Sequence, residues 1–403
     1  MLSLADVEDA QQRVNEIARH TPLERSTPFS DLTDAEVYMK LETFQRTGAF
    51  KIRGAANKIG TLSESDKQRG VVTASAGNHA QGVAMAATRA GVDSKIVMPE
   101  YAPVSKIKAT RSYGGEVILD GVDYDDAQAR AHEIERQEER KYVHAFNDER
   151  VMAGQGTLGL EVLEDLPAFD TIVVPIGGGG LISGIATAVK GHLDDVRVIG
   201  VQASGASSAA ASVEDGEIRE LDSVDTIADG IATRAIGEKS FEVIQQHVDE
   251  IVTVSDETIA LAVTQLLERS KTLVEGAGAV PLAALLEGAF EYDSGERIVM
   301  TLCGGNIDLN TLTTIIIRGL VQMGRYLKIR TELKDRPGAL QGLVNVITGF
   351  DANIYSVSHD RTSRDIAVNA ADIELELETH DRDHAAEIVA KLEQNGYEID
   401  ILS

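Results

Sequence analysis

The chain has 403 residues, 43% hydrophobic and 26% charged, the make-up of a globular protein of two or three domains rather than a disordered or fibrous one. Its 65 acidic residues against 38 basic ones give a formal net charge of -27, which repels phosphate backbones and anionic membranes and argues against both as partners. A lone cysteine, Cys303, makes no internal disulfide, and with only 14 lysines among the 38 basic residues the surface matches a salt-rich cytosol.

No apolar run reaches the roughly 18 residues of a spanning helix, and Met1 to Asp6 carries no basic-then-apolar leader, so the expected location is cytoplasmic. From the start of the chain, Ser3 to His20 reads as an amphipathic helix: Ser3 caps it, Asp6 follows three positions on, and Val7, Val14 and Ile17 recur near helical spacing. His20-Thr-Pro-Leu23 stops it. Short β-rich runs then alternate with helical stretches: Val37 to Leu41, Gly70 to Thr73, Lys95 to Met98, Glu116 to Leu119, Thr171 to Ile176 and Arg197 to Val201. Such runs predict strands buried on both faces, hence an α/β fold with parallel sheets covered by helices and ligands outside the carboxyl ends of the strands.

Near residue 320 the pattern changes. Strands are expected at Tyr326 to Leu333, Ala352 to His359, Ala371 to Glu378 and Tyr397 to Leu402, with helices at Ala339 to Thr348 and Asp383 to Asn395. That β-α-β-β-α-β order predicts a separate α+β, ferredoxin-like domain over 326–403, after a boundary at 320–327.

Three loops carry chemistry. In Thr43-Phe-Gln-Arg-Thr-Gly-Ala-Phe-Lys51-Ile-Arg-Gly54, Lys51 follows a Gly-containing turn at the start of a helical stretch. The helix dipole disfavours an ammonium there, which favours the neutral amine that forms imines; a plain solvated lysine is the competing reading. Ser75-Ala-Gly-Asn-His79 precedes the helical run Ala80 to Ala90, either as an ordinary cap or as a cradle for a substrate carboxylate. His79 itself reads as a structural, hydrogen-bonding histidine. The tetraglycine Gly177-Gly-Gly-Gly180 joins a strand to a helix and aims free N–H groups at an anion. It lacks the third glycine of a dinucleotide fingerprint and the lysine of a P-loop, so a single phosphate suits it, with a tight turn as the alternative.

Metal chemistry finds little support, because His132-Glu-Ile-Glu-Arg136 has no second histidine and one cysteine builds no thiolate cage.

In this order and spacing, the loops resemble those of the fold-type II pyridoxal-phosphate enzymes, and among them the threonine ammonia-lyase (threonine dehydratase) family. The resemblance runs from about residue 5 to 320, through His20-Thr-Pro-Leu23, Gln45 to Gly54, Ser75 to Gly82, Ala153-Gly-Gln-Gly-Thr157, Pro175 to Leu181, Ile227-Ala-Asp-Gly230, Glu275-Gly-Ala-Gly278 and Gly304-Gly-Asn-Ile-Asp308. It implies a catalytic domain over 1–320 with a smaller subdomain at roughly 52–145, and pyridoxal 5'-phosphate as cofactor. Lys51 would carry the cofactor as an imine and take the substrate's α-proton, Phe50 would line the pocket, and Asn78 would bond the pyridine 3'-oxygen. The amides of Gly177, Gly178, Gly179, Gly180 and Leu181 would hold the phosphate. Ser75, Ala76, Gly77, Asn78 and His79 would orient the carboxylate, and Asn147 would support the substrate side.

At the pyridine nitrogen the family usually has serine; here the matching residue is Cys303, a weak hydrogen-bonding group without a stable negative charge, or in the bland reading a small core hydrophobe. An uncharged ring favours loss of a β-leaving group. The resemblance implies a reaction that converts L-threonine to 2-oxobutanoate and ammonia, and L-serine to pyruvate more slowly. Related racemases carry a second serine where Ala76 stands, and relatives with a divalent cation have glutamate where Gln202 stands, so neither racemisation nor a required metal is expected.

Leu333-Lys-Asp-Arg-Pro-Gly-Ala-Leu340 resembles the signature loop of ACT domains, amino-acid-binding modules. The resemblance implies an effector such as isoleucine or valine near Gly338, Ala339, Leu340 and Asn353, and a homodimer or homotetramer; a plain turn in a dimerisation module is the alternative. Competing functions are a serine racemase, a hydroxyaspartate dehydratase, or a non-catalytic amino-acid sensor.

Overall fold

Ser3 caps the first helix, Leu4–Asn15: its Oγ accepts the Asp6 amide at 3.3 Å while the Asp6 carboxylate accepts the Ser3 amide at 3.2 Å, so both halves of a capping box form. A computed structural model describes residues 1–362 and 367–402. It divides into two units, Met1–Leu309 and Asn310–Ser403.

The first unit contains two sheets. The chain starts the larger with β1 (Leu23–Arg25) and β2 (Glu36–Leu41), leaves to build the smaller from β3 (Val71–Ala74), β4 (Ser94–Met98), β5 (Glu116–Leu119) and β6 (Lys141–Tyr142), then returns for β7 (Thr171–Pro175), β8 (Arg197–Ala203), β9 (Glu250–Val254) and β10 (Arg297–Leu302). The larger sheet runs β1-β2-β10-β7-β8-β9, parallel except for the β1–β2 pair, and the smaller runs β5-β4-β3-β6, parallel throughout. Central strands β3 and β7 are buried along their whole length because helices cover both faces. β5 departs from the expected burial: it is a sheet edge, and Glu116 and Leu119 are exposed.

Beneath the turn that precedes Lys51 lies a buried charge network. Arg53 and Glu42 are both inaccessible to solvent; Arg53 Nε and Nη2 donate to Glu42 at 2.9 and 2.7 Å, and Nη1 and Nη2 donate to Glu161 at 2.6 and 2.8 Å. Lys40, equally buried, reaches Glu161 at 2.9 Å. The planar guanidinium satisfies two carboxylates at once, which a lysine ammonium cannot do in that geometry. This network ties the helix Lys51–Gly60 to β2 and to the helix Glu149–Asp165.

The second unit contains all but the first residue of the helix Leu309–Gln322 and continues as β11 (Tyr326–Lys334), a helix at Ala339–Thr348, β12 (Asn353–Asp360), β13 (Ala370–Glu378), a helix at Arg382–Gln394 and β14 (Asp400–Ile401). Its antiparallel sheet, ordered β12-β13-β11-β14, buries alternate residues Leu327, Ile329, Leu333, Ile373, Leu375 and Leu377 against the last two of these helices. Gly338 stands before the first of them at φ +87°, open on all sides. Asn353 is engaged locally: its Nδ2 donates to Glu378 at 3.0 Å across the strand pair. Among the described residues no helix is long and apolar enough to cross a membrane.

Candidate active site

In the smaller sheet the chain leaves β3 toward β4 and later returns to β3's other side as β6; in the larger it leaves β7 toward β8 and returns as β10. Loops leaving neighbouring strands at such a reversal part company and open a crevice at the carboxyl edge. Residues from the loops after β3, β6, β7 and β10, with Phe50 and Lys51, line one cavity of about 720 Å³.

Lys51 is the first residue of its helix, and its Nζ donates to the Ala145 carbonyl at 3.1 Å, 5.1 Å from the centre of the Phe50 ring. Burial is the largest influence on this amine and lowers its pKa to about 8, against the opposing pull of Cys303 and Glu275. A neutral amine is therefore accessible near ordinary pH.

Across the cavity, Gly177, Gly178 and Gly179 lead into the helix Gly180–Lys190. Gly179 sits at φ +90°, which side chains with a Cβ rarely adopt. Gly178 is required by close approach: a Cβ there would lie 2.3 Å from the Phe146 ring. The turn's N–H groups and the free first amides of the helix face one concavity at the positive helix end.

Between these ends runs a polar chain. Asn78 Nδ2 donates to Glu275 Oε1 at 2.7 Å, and Asn306 Nδ2 donates to Asn78 Oδ1 at 2.9 Å and to the Thr47 carbonyl at 2.6 Å. Asn78 keeps a second N–H for a ligand. Burial, followed by the nearby Asp229 charge, raises the Glu275 pKa to about 7. Cys303 is buried and its thiol is pushed well above its usual range, first by burial and then by Glu275, so it stays protonated.

The family described as "Pyridoxal-phosphate dependent enzyme" matches residues 14–304. The chain belongs to this family.

An ACT domain matches residues 325–397. Along its full length the chain is 46% identical to the L-threonine ammonia-lyase of Thermotoga maritima, with 100% of each chain covered. Among solved structures it resembles the processed form of threonine deaminase isoform 2 from Solanum lycopersicum, with a TM-score of 0.75, 38% identity, and 77% of this chain and 86% of that one covered. Maize serine racemase is also similar, with a TM-score of 0.75, 36% identity, and 80% and 98% covered.

The cofactor of this pyridoxal-phosphate family fits the residues present. Among the described residues the glycine turn supplies unpartnered amides for a phosphate, Lys51 brings an amine whose pKa is lowered to about 8 to the same cavity, and Asn78 and Cys303 supply polar atoms along its wall. Ser75, Gly77, Asn78 and His79 line the cavity beside it. His79 behaves as a structural histidine: it is buried, its Nε2 bonds the Val143 carbonyl at 2.9 Å, and burial lowers its pKa to about 3.

Two expected site residues lie elsewhere. Ala76 packs against the core of the smaller sheet and is absent from the cavity wall. Asn147 is also absent from it: its Oδ1 accepts the Lys239 amide at 3.0 Å, pinning the loop after β6 to the start of the helix Glu238–His247. Its neighbour His144 lines the cavity instead. Glu275, His144 and Thr233, the last with a buried hydroxyl that has no partner among the described residues, have no role in the sequence reading. Glu275 opens the Glu275-Gly-Ala-Gly278 motif, but only the fold reveals what it faces.

Proposed function

We propose that the chain is a threonine ammonia-lyase, converting L-threonine to 2-oxobutanoate and ammonia and acting more slowly on L-serine. The observation that carries this reading is a low-pKa lysine facing a free-amide glycine turn across one cavity, in a chain 46% identical end to end to an enzyme of that name.

Bound pyridoxal phosphate supplies an electron sink for charge developing at the substrate's α-carbon. The chain's residues do the rest. Lys51 Nζ, neutral for a useful fraction of the time near pH 8, takes the α-proton. Ser75 and the amides of Gly77, Asn78 and His79 orient the carboxylate at the start of the helix Asn78–Arg89. The Gly177 to Leu181 amides hold the phosphate and fix the cofactor's far end. Cys303 remains a neutral thiol, and placed at the ring nitrogen as the family resemblance implies it would supply no counter-charge there, which would favour elimination over reactions that store charge on the ring.

The cavity wall supports a monocarboxylic substrate. Asp123, Asp125, Glu220 and Asp229 all line it, and its one arginine, Arg234, is paired with Glu220 at 2.8 Å and with Asp125 at 3.6 Å. A second substrate carboxylate, as in hydroxyaspartate, would meet these acids without a free cation. Alanine at position 76 argues against the opposite-face acid of a racemase. Gln202 caps the helix Ser208–Asp215 by accepting the Ala209 and Ala210 amides at 2.9 and 3.0 Å, an occupation that favours metal-independent action.

The ACT match supports regulation by an amino acid such as isoleucine or valine, in a homo-oligomer. The deciding experiment incubates the cofactor-loaded chain with L-threonine, L-serine and hydroxyaspartate and assays oxoacid and D-amino acid. Fastest oxoacid release from threonine supports the reading; dominant D-amino acid formation overturns it.

A further inference from the structure

His144 follows β6 and lines the cavity, and its ring has a defined hydrogen-bonding state. Its Nδ1 accepts two backbone donors, the Phe146 amide at 3.1 Å and the Asn147 amide at 2.9 Å. An atom that accepts both cannot carry a hydrogen, so the neutral ring holds its proton on Nε2. Burial, reinforced by the nearby Lys51 charge, lowers the His144 pKa to about 4, so the ring is neutral at pH 7. No described side chain or backbone group accepts from that Nε2–H.

Its position follows from its neighbours. Ala145, the next residue, accepts from Lys51 Nζ at 3.1 Å. Phe146, one further on, covers Gly178 and packs edge-on to the His144 ring with centroids 4.6 Å apart. The loop that carries the imidazole thus touches both the amine and the glycine turn, and the ring shares the cavity wall with His79 of the carboxylate cradle, close enough for the two imidazoles to interact. With the carboxylate assigned to the cradle, the α-hydrogen to Lys51 and the amino group to the cofactor, the polar part of a β-hydroxy amino acid left to assign is its hydroxyl.

We propose that His144 Nε2–H donates a hydrogen bond to the substrate's β-oxygen and selects substrates whose leaving group can accept one. This rests on the lyase reading above and deepens it. Elimination removes the α-hydrogen, taken as a proton by Lys51 Nζ, and the β-hydroxyl, which receives that proton back from Lys51 as the C–O bond breaks and leaves as water; His144 ends as it began, neutral with its proton on Nε2. It positions the leaving group without becoming its acid.

The test compares elimination from L-threonine with elimination from β-chloro-L-alanine, whose chloride is a poor acceptor and a good leaving group. Asparagine at 144 retains an acceptor near the Nδ1 position and removes the distal donor, while glutamine restores a donor near Nε2. In the cofactor-loaded His144→Asn chain, kcat/KM for threonine should fall about ten- to hundredfold and that for β-chloroalanine less than about threefold, with partial recovery of threonine turnover in His144→Gln. Equal losses on both substrates, or no loss on threonine, overturn the proposal. Fold and loading are read from the cofactor's absorbance. Wild-type chain inactive on threonine but active on β-chloroalanine would overturn the lyase reading itself, and with it the assignment of His144 to a hydroxyl.

Discussion

Asn78, on the smaller sheet's lobe, donates to Glu275, at the N-terminus of the helix Gly276–Glu287 beside the larger sheet. A carboxyl whose pKa is raised from 4.5 to about 7 holds its proton more tightly in the folded than in the unfolded chain. Its contribution to stability is therefore greatest below about pH 4.5, declines as pH rises to about 7, and is constant beyond. Glu275→Gln keeps the acceptor and removes the titration. In cofactor-free protein its stability relative to wild type should rise across that window by about 3 kcal/mol, measured by urea melts at several pH values. A difference independent of pH would show that Glu275 does not titrate there.

For Lys51 the sign is opposite. Its pKa is lowered from 10.5 to about 8, so the reactive amine appears as pH rises through 8. The rate at which cofactor-free chain gains covalently attached chromophore on adding pyridoxal phosphate should increase with pH to a midpoint near 8 rather than near 10.5. Lys51→Ala should gain no borohydride-fixable chromophore at any pH.

Gly178→Ala tests the glycine turn. The new methyl would lie 2.3 Å from Phe146 and force that ring off the turn. Cofactor affinity, followed by titration of absorbance, should weaken about tenfold or more, from a steric cost of about 1–3 kcal/mol.

Arg53→Met would leave Glu42 and Glu161 buried with only Lys40 to offset them. The expected loss of stability is about 3–5 kcal/mol, measured by denaturant unfolding. The triple variant with Glu42→Gln and Glu161→Gln should recover much of it, because no buried carboxylate is then left without its guanidinium and Lys40 keeps Asp165 at 3.2 Å; a single-variant loss under about 1 kcal/mol would show that the network contributes little.

The segments around Lys51, Asn78 and Gly177–Gly180 were legible in the sequence because each is local: a strand, a small-residue turn and a helix start, encoded in consecutive residues. The strands and helices of the second unit were legible for the same reason, and its helix Ala339–Thr348 has the expected limits, although the unit begins at Asn310 rather than at 320–327 because the helix Leu309–Gln322 groups with it. What escaped depends on how distant segments meet. Glu275 and Asn78 are 197 positions apart, and no spacing rule reports that they share a hydrogen bond or that burial holds the carboxyl's proton. His144 and Asn147 lie in one loop, and sequence pattern does not tell which turns inward; the Lys239 amide captures Asn147 and the two backbone donors orient His144. β5 looked buried because its residues are apolar enough for a central strand, yet sheet order leaves it at an edge.

The acids around the cavity also bear on how a catalytic cycle closes. An oxoacid product bears the same sign of charge as Asp123, Asp125, Glu220 and Asp229, whereas the amino-acid substrate arrives with an ammonium group to offset its carboxylate. Entry and exit are thus electrostatically unequal, and the rim favours departure of the anion over its return.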